Sequence, residues 1–240
     1  MAFISNSSAP QQKRKFGPGR SALRKAVQDR GKRIHNLWYH YSPRLKQDVI
    51  LRCDAAFLHF CLLEADPTVV CYELDPNPIA VVLANRSLEV NFDARVEFRN
   101  AQPELRIVGP ADAALDEAGR QKRAAEEAAA ARSGFKFATV TAELLNAHAL
   151  LIRNWRCALA YQAACRDAML AAYTQELVEV ARIRRRCSIG ELLQETNPEL
   201  RAEYLAALFS AIQNAELGSD IAEKPLCLNT EIWIAGVAHA

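Results

Sequence analysis

Leu88-Glu89-Val90-Asn91-Phe92-Asp93-Ala94-Arg95-Val96-Glu97-Phe98 alternates apolar and polar side chains without a fault. A period of two sends alternate residues to opposite faces of a pleated strand. The run therefore predicts a β-strand with one buried face and Asp93 on the polar one. Upstream, Ile79-Ala80-Val81-Val82-Leu83 reads as a short apolar strand, with Asn85-Arg86-Ser87 as the hairpin turn. Downstream, Leu105-Arg106-Ile107-Val108 reads as a third strand, stopped by Gly109-Pro110. Residues 113–131 are rich in Ala, Glu, Arg and Lys, which makes a helix by propensity, and Phe135-Lys136-Phe137-Ala138-Thr139-Val140 is strand again. Strand, helix, strand in this order predicts a right-handed crossover and hence a mixed α/β sheet.

The flanks are helical in pattern. Ser42-Pro43 reads as a capped helix start, and Leu45, Val49, Phe57, Phe60 and Leu63 carry a helix or helix pair to Asp66-Pro67. Thr141-Ala142-Glu143 opens another helix, and residues 154–185 read as one long helix or a broken pair. Ser188-Ile189-Gly190-Glu191 has the form of a capping box, in which Ser and Glu each satisfy a backbone N–H left free at a helix start. Asn197-Pro198-Glu199 caps a second helix carrying Leu200, Tyr204, Leu208 and Ile212. Strand-like Leu226-Cys227-Leu228 and Ile232-Trp233-Ile234 follow Gly218, the order of a winged helix-turn-helix.

The chain has 240 residues, half of them apolar, enough for one large domain or two small ones. Its polar opening is unlike a signal peptide and no apolar run reaches membrane length, so a cytoplasmic protein is expected. The seven cysteines form no Cys-x-x-Cys pair and read as reduced core residues, and the histidines have no ligand spacing. Charge is divided along the chain. Residues 1–52 carry twelve Lys/Arg against two Asp, or +10, whereas the rest carries eighteen Lys/Arg against twenty-six acids, or −8. Lys13, Arg14, Lys15, Arg20, Arg24, Lys25, Arg30, Lys32 and Arg33 make residues 1–36 a basic, flexible arm. Such an arm suits the phosphates of nucleic acid, and the aromatic cluster Leu37-Trp38-Tyr39-His40-Tyr41 favours that reading over a merely solubilising tail. Arg182, Arg184, Arg185 and Arg186 form a second basic group, read equally as backbone contacts or as a solvated helix end.

From about Leu45 to Ile234 the order of segments resembles the TnsA endonucleases of cut-and-paste transposons. The resemblance is carried by Leu62-Leu63-Glu64-Ala65-Asp66-Pro67 before Thr68-Val69-Val70, then by Tyr72-Glu73-Leu74-Asp75-Pro76 and the strand pair after it. It continues through Phe135 to Thr141, Gly190-Glu191-Leu192-Leu193, and Asp220 to Leu226. It implies a restriction-endonuclease-like domain over 37–141, a mixed sheet flanked by helices, then a mainly helical, winged-helix-like domain over 142–240. It also implies DNA as substrate, a TnsB-like transposase as partner, and an ATPase regulator of the TnsC type.

Such nucleases use a helix Glu, a strand Asp and a Glu-x-Lys to hold Mg²⁺ and orient water. Asp93 matches the strand aspartate. The helix glutamate falls near Ala56, and Glu-x-Lys falls on Ile107 and Gly109, whose side chains bind no metal. A shifted register offers Glu104 as second acid and Arg106 in the place of lysine, with Asp54 or Glu64 from the helix; Asp93 and Glu104 would then be the metal ligands. The bland reading of Asp93 is a surface strand residue paired with an arginine. The expectation is a DNA-binding component of a transposition machinery with an impaired nuclease core. Its alternatives are an active metal-dependent endonuclease and a winged-helix DNA-binding regulator.

Overall fold

The computed structural model describes residues 25–28, 36–83, 86–194 and 196–236. A hairpin comes first, β1 (Trp38–Ser42) paired antiparallel with β2 (Gln47–Leu51). Helix α1 (Asp54–Ala65) then leads to β3 (Val69–Leu74). A separate two-stranded ribbon, β4 (Ile79–Leu83) and β5 (Arg86–Val90), precedes β6 (Ala94–Phe98), β7 (Glu104–Val108), α2 (Glu117–Arg132) and β8 (Lys136–Val140). Strands β3-β6-β7-β8 form the main sheet in that order. It is mixed: β3, β6 and β7 are antiparallel, and β8, reached through α2, is parallel to β7.

Helices cover both faces of this sheet. Tyr72, Ala94, Val96 and Val140 pack towards α1. Leu105, Ile107 and Phe137 pack towards Ala125 and Ala129 of α2, together with Val81 and Val90 of the ribbon. Asp116 caps α2, its carboxylate accepting from Gly119 N at 2.7 Å.

The remaining chain is α3 (Ala142–Ala147), α4 (Ala149–Ala164), α5 (Ala171–Arg184), β9 (Arg186–Ser188), α6 (Ile189–Gln194), α7 (Arg201–Gln213), β10 (Leu217–Ser219) and β11 (Glu231–Ile234). Strands β10-β11-β9 form a small antiparallel sheet in that order. The capping box forms as expected: Ser188 N donates to Glu191 at 2.6 Å, and Glu191 N to Ser188 Oγ at 3.2 Å. Thr141 caps α3, and Asn197 caps a 3-10 turn, Pro198–Leu200, that leads into α7. The core does not divide at residue 141. One apolar cluster runs from Phe57, Val69 and Val96 through Trp155 to Leu208 and Ile232. Helix α7 lies in it, packed on α4 and α5, with Tyr204, Ala206 to Phe209 and Ala211 to Gln213 buried.

Three expectations are corrected. Ser42-Pro43 starts a hairpin turn, not a helix: Ser42 Oγ accepts from Leu45 N at 3.0 Å, and Lys46 takes a positive φ of 53°. A side-chain cap on the third residue serves a turn as well as a helix start, which is why the dipeptide misled. The alternating run is two strands, broken at residues 91–93. Before the break Val90 and Phe92 bury towards α2, whereas after it Ala94 and Val96 bury towards α1. Alternation survives the break, but the buried side changes. Leu226 to Leu228 is loop, and only residues 231–234 form the strand beyond it.

Candidate functional site

Asp93 sits at this change of side, where the backbone is still paired: its N–H donates to Arg106 O at 2.9 Å, and its carbonyl accepts from Asp75 N at 3.1 Å. Its carboxylate is half-buried and accepts from Val108 N at 2.6 Å. Burial raises its pKa above the usual carboxylate value. The Val108 N–H opposes that shift, the negative Asp75 adds to it, and Lys122 of α2 opposes it. Asp93 is thus no surface partner of an arginine; its charged neighbours are Asp75 and Lys122.

Val108 also lines a cleft of about 340 Å³ at the ends of β7 and β8. Ala55 of α1, Gly109, Ala111, Ala114 and Ala142 line it too, with Thr141 and Glu143 as its polar contributors. The loop after Gly109 is held by Arg123, which is buried on α2. Arg123 donates to Pro110 O at 3.4 Å and to Thr139 Oγ1, and pairs with Asp112 at 3.0 Å and Glu126 at 3.1 Å. Apart from Thr141 and Glu143, the walls of the cleft are small and apolar.

Glu104 and Arg106 do not join Asp93. They lie cross-strand to Val96 and Ala94, on the α1 side of the sheet. Glu104 accepts from Arg106 Nε at 2.9 Å and pairs with Lys136 at 3.4 Å. Arg106 spreads over the Phe98 ring at 5.3 Å. As one half of that pair and stacked on a ring, it does not stand in for a water-orienting lysine, which is the physical correction to that assignment. Among the described residues no three His, Cys, Asp or Glu side chains gather into a metal-holding group. The donor set at Asp93 therefore does not fit a Mg²⁺ site.

The two helix acids serve structure. Asp54 accepts from Trp38 Nε1 at 2.8 Å and Asn36 Nδ2 at 2.8 Å, tying the start of the hairpin to α1. Glu64 is fully buried at the other end of α1. One of its oxygens takes the hydroxyls of Ser42 and, at 2.5 Å, Tyr72; the other takes Gln213 Nε2 of α7 at 2.5 Å. Arg44 donates to the Glu64 and Asp66 carbonyls at 3.4 and 3.0 Å and also to Val69 O, closing the exposed end of α1. Burial pushes the Glu64 pKa up against these donors. No spacing rule joins residues 42, 64, 72 and 213. The one available signal was a glutamate following the apolar run Phe60-Cys61-Leu62-Leu63.

His59, also on α1, is buried, and its Nε2 finds no hydrogen-bond partner among the described residues. Burial, helped by the nearby positive Arg106, lowers its pKa to about 3.

The aromatic cluster is largely taken up by contacts within the protein, with Tyr39 left exposed. Trp38 stacks on Phe57 at 4.2 Å, Tyr39 donates to Asp48 at 2.8 Å, and Arg156 and Arg166 of the helical half lie over Trp38 and Tyr41. Lys25 is exposed, whereas Lys13, Arg14, Lys15, Arg20, Arg24, Arg30, Lys32 and Arg33 lie outside the described residues. Arg184, Arg185 and Arg186 are exposed where α5 meets β9. Arg186 pairs with Glu231 at 3.1 Å and lies over Trp233 at 5.1 Å, and Arg185 holds a positive φ of 61°.

Among the described residues no helix is long and apolar enough to cross a membrane. No family model matches the chain, and no curated protein is significantly similar to it.

Proposed function

We propose that this chain is a TnsA-like DNA-binding component of a transposition machinery whose nuclease frame has lost its metal-dependent chemistry. The observation that carries the reading is the cleft at Ala55, Val108 and Gly109, mostly apolar apart from Thr141 and Glu143 and lined by Val108, whose N–H binds the Asp93 carboxylate. A mixed sheet with a helix on either face, and an acid entering one strand beside the end of the next, is the arrangement a restriction-endonuclease-like core requires. Under this reading Ile107 and Gly109 would stand for the second acid and the lysine, and Ala56 for the helix glutamate.

The small sheet order β10-β11-β9, with α6 and α7 between β9 and β10, supports a winged-helix-like second half. Its helix α7 is core, which weighs against an independent DNA-reading regulator. DNA is held in this reading by the +10 leader, with Arg184, Arg185 and Arg186 as further phosphate contacts. A TnsB-like transposase and a TnsC-like ATPase are the proposed partners.

The test is retention and nicking of plasmid by the full chain, with and without Mg²⁺ or Mn²⁺. Retention without nicking is the expected result. Metal-dependent nicking abolished by Asp93→Ala would replace this reading with that of an active endonuclease, and no retention at low salt would defeat both.

A further inference from the structure

We infer that this chain pairs with a second copy of itself through β8, the open edge of its main sheet. A strand at a sheet edge presents unpaired N–H and C=O groups, which a fold either closes off or uses for pairing. The main sheet, ordered β3-β6-β7-β8, has two such edges, and this chain treats them differently. The β3 edge is closed: Arg44 donates to the Val69 carbonyl, and a bulge shifts the register between Val69 and Cys71.

The β8 edge has no such closure among the described residues. Lys136 N donates to Pro103 O at 2.9 Å, and Val140 O accepts from Gly109 N at 3.1 Å. In a parallel ladder only alternate residues of a strand bond to a given neighbour, so Lys136, Ala138 and Val140 face β7. Phe137 and Thr139 therefore turn their N–H and C=O groups outward, and among the described residues no backbone group bonds to them. Helix α2 covers a face of β8 and not its edge, through Arg123, which lies over the Phe137 ring and donates to the Thr139 hydroxyl. Phe137, Ala138 and Thr139 stay partly exposed.

This edge is complementary to itself. A twofold axis through Ala138 sets Phe137 opposite Thr139 of the second copy, and Thr139 opposite its Phe137. All the outward groups of both strands then meet in main-chain hydrogen bonds, whereas an axis through Phe137 or Thr139 leaves half of them unpaired. Ala138 meets its own copy at the narrow, non-hydrogen-bonded position, where Cα atoms approach to about 4.5 Å, and it has the smallest side chain of the strand. Charge agrees with this pairing. Exposed Arg132 and Lys136 mark the start of the segment, and exposed Glu143 lies just past its end. Antiparallel pairing brings the basic end of one copy to the acidic end of the other, where a parallel one would set like charges together. The result is one sheet continuous across two copies.

The test is sedimentation equilibrium of the full chain over a range of protein concentrations. The mass is expected to rise from 26.7 kDa towards twice that value. Ala138→Lys sets like charges face to face at the axis, and should hold the mass at that of one chain with native circular dichroism. Should that variant lose its fold, Ala138→Cys decides. Under mild oxidation it should give a dimer linked through residue 138, because Cα atoms about 4.5 Å apart suit a disulfide. The link is mapped by mass spectrometry, since Cys157 and Cys227 are exposed as well. Lys136→Cys, roughly 13 Å from its own copy in this register, should not link. A single-chain mass at every concentration, a dimer indifferent to Ala138→Lys, or Lys136→Cys linking as readily as Ala138→Cys would overturn the inference. None of these readouts involves DNA, so the reading proposed above stands or falls separately.

Discussion

Glu64 on α1 and Asp93 at the entry to β6 show opposite ways of keeping an acid. Glu64 is closed from solvent and takes donors from the hairpin, β3 and α7, so four elements meet at one carboxylate. Asp93 keeps a single N–H, from Val108, beside an apolar cleft, with Asp75 pressing on it as a like charge. The buried polar contacts of this fold thus gather where the hairpin, the main sheet and the helical half meet, more than at the cleft beside Asp93.

Removing the Glu64 carboxylate should give the largest effect. Glu64→Ala leaves Ser42, Tyr72 and Gln213 as buried donors without an acceptor, and a cost of roughly 3–5 kcal/mol is expected by denaturant unfolding. Glu64→Gln keeps one oxygen for the two hydroxyls and should cost markedly less. The sign of the pH dependence follows from the raised pKa. A raised folded value means the native state binds the proton more tightly than the unfolded chain. The stability Glu64 contributes is then fully present below its ordinary value of 4.5 and is lost as pH rises through the folded one. Glu64→Gln should flatten that decline. If Glu64→Ala unfolds no more easily than Asp93→Ala, the contrast between the two acids is broken.

His59 sharpens the comparison, because it is buried and its Nε2 has no hydrogen-bond partner among the described residues. Its pKa falls from 6.5 to about 3, so its contribution has the opposite sense to that of Glu64. Stability is fully present above 6.5 and is lost as pH falls towards 3, by an amount on the order of a few kcal/mol. Unfolding midpoints measured between those limits should drop with acid in the native chain, and His59→Phe should remove most of the drop. An unchanged acid slope in that variant would show that another group governs it.

How far the sequence discloses all this depends on whether the information is local. The strands near residues 79–83, 104–108 and 136–140, the α2 helix and the Ser188–Glu191 capping box depend on nearby residues, and they were legible. Ser42-Pro43 was ambiguous in kind, since the same side-chain cap begins a helix or tightens a hairpin; the deciding fact is the pairing of β1 with β2, which is not in the dipeptide. The run through Asp93 was legible as strand but not as two strands. Alternation reports that a face is buried, not which helix buries it, so the switch from α2 to α1 leaves the period untouched. Asp93 was legible as a singular acid. Its companions Asp75 and Lys122 were not, because they come from a strand end and a helix brought together only by the tertiary fold.

The smallest expected effect is at Asp93 itself, and it decides what the cleft is for. Asp93→Ala orphans the Val108 N–H, which costs roughly 1 kcal/mol, but it also relieves the repulsion from Asp75, which offsets part of that cost. Asp93→Asn keeps an acceptor for Val108 and removes the charge. Its stability should therefore match the native chain within about 0.5 kcal/mol at neutral pH, or slightly exceed it. Plasmid retention by Asp93→Asn should also be unchanged, because the phosphate contacts proposed above lie elsewhere on the chain. Equilibrium unfolding and plasmid retention, run in parallel on this one variant, separate the two meanings of the residue. A native-like fold with native-like retention fits a carboxylate kept to close a sheet end. A native-like fold that loses a metal-dependent cut would mean that the small apolar walls around it still serve catalysis.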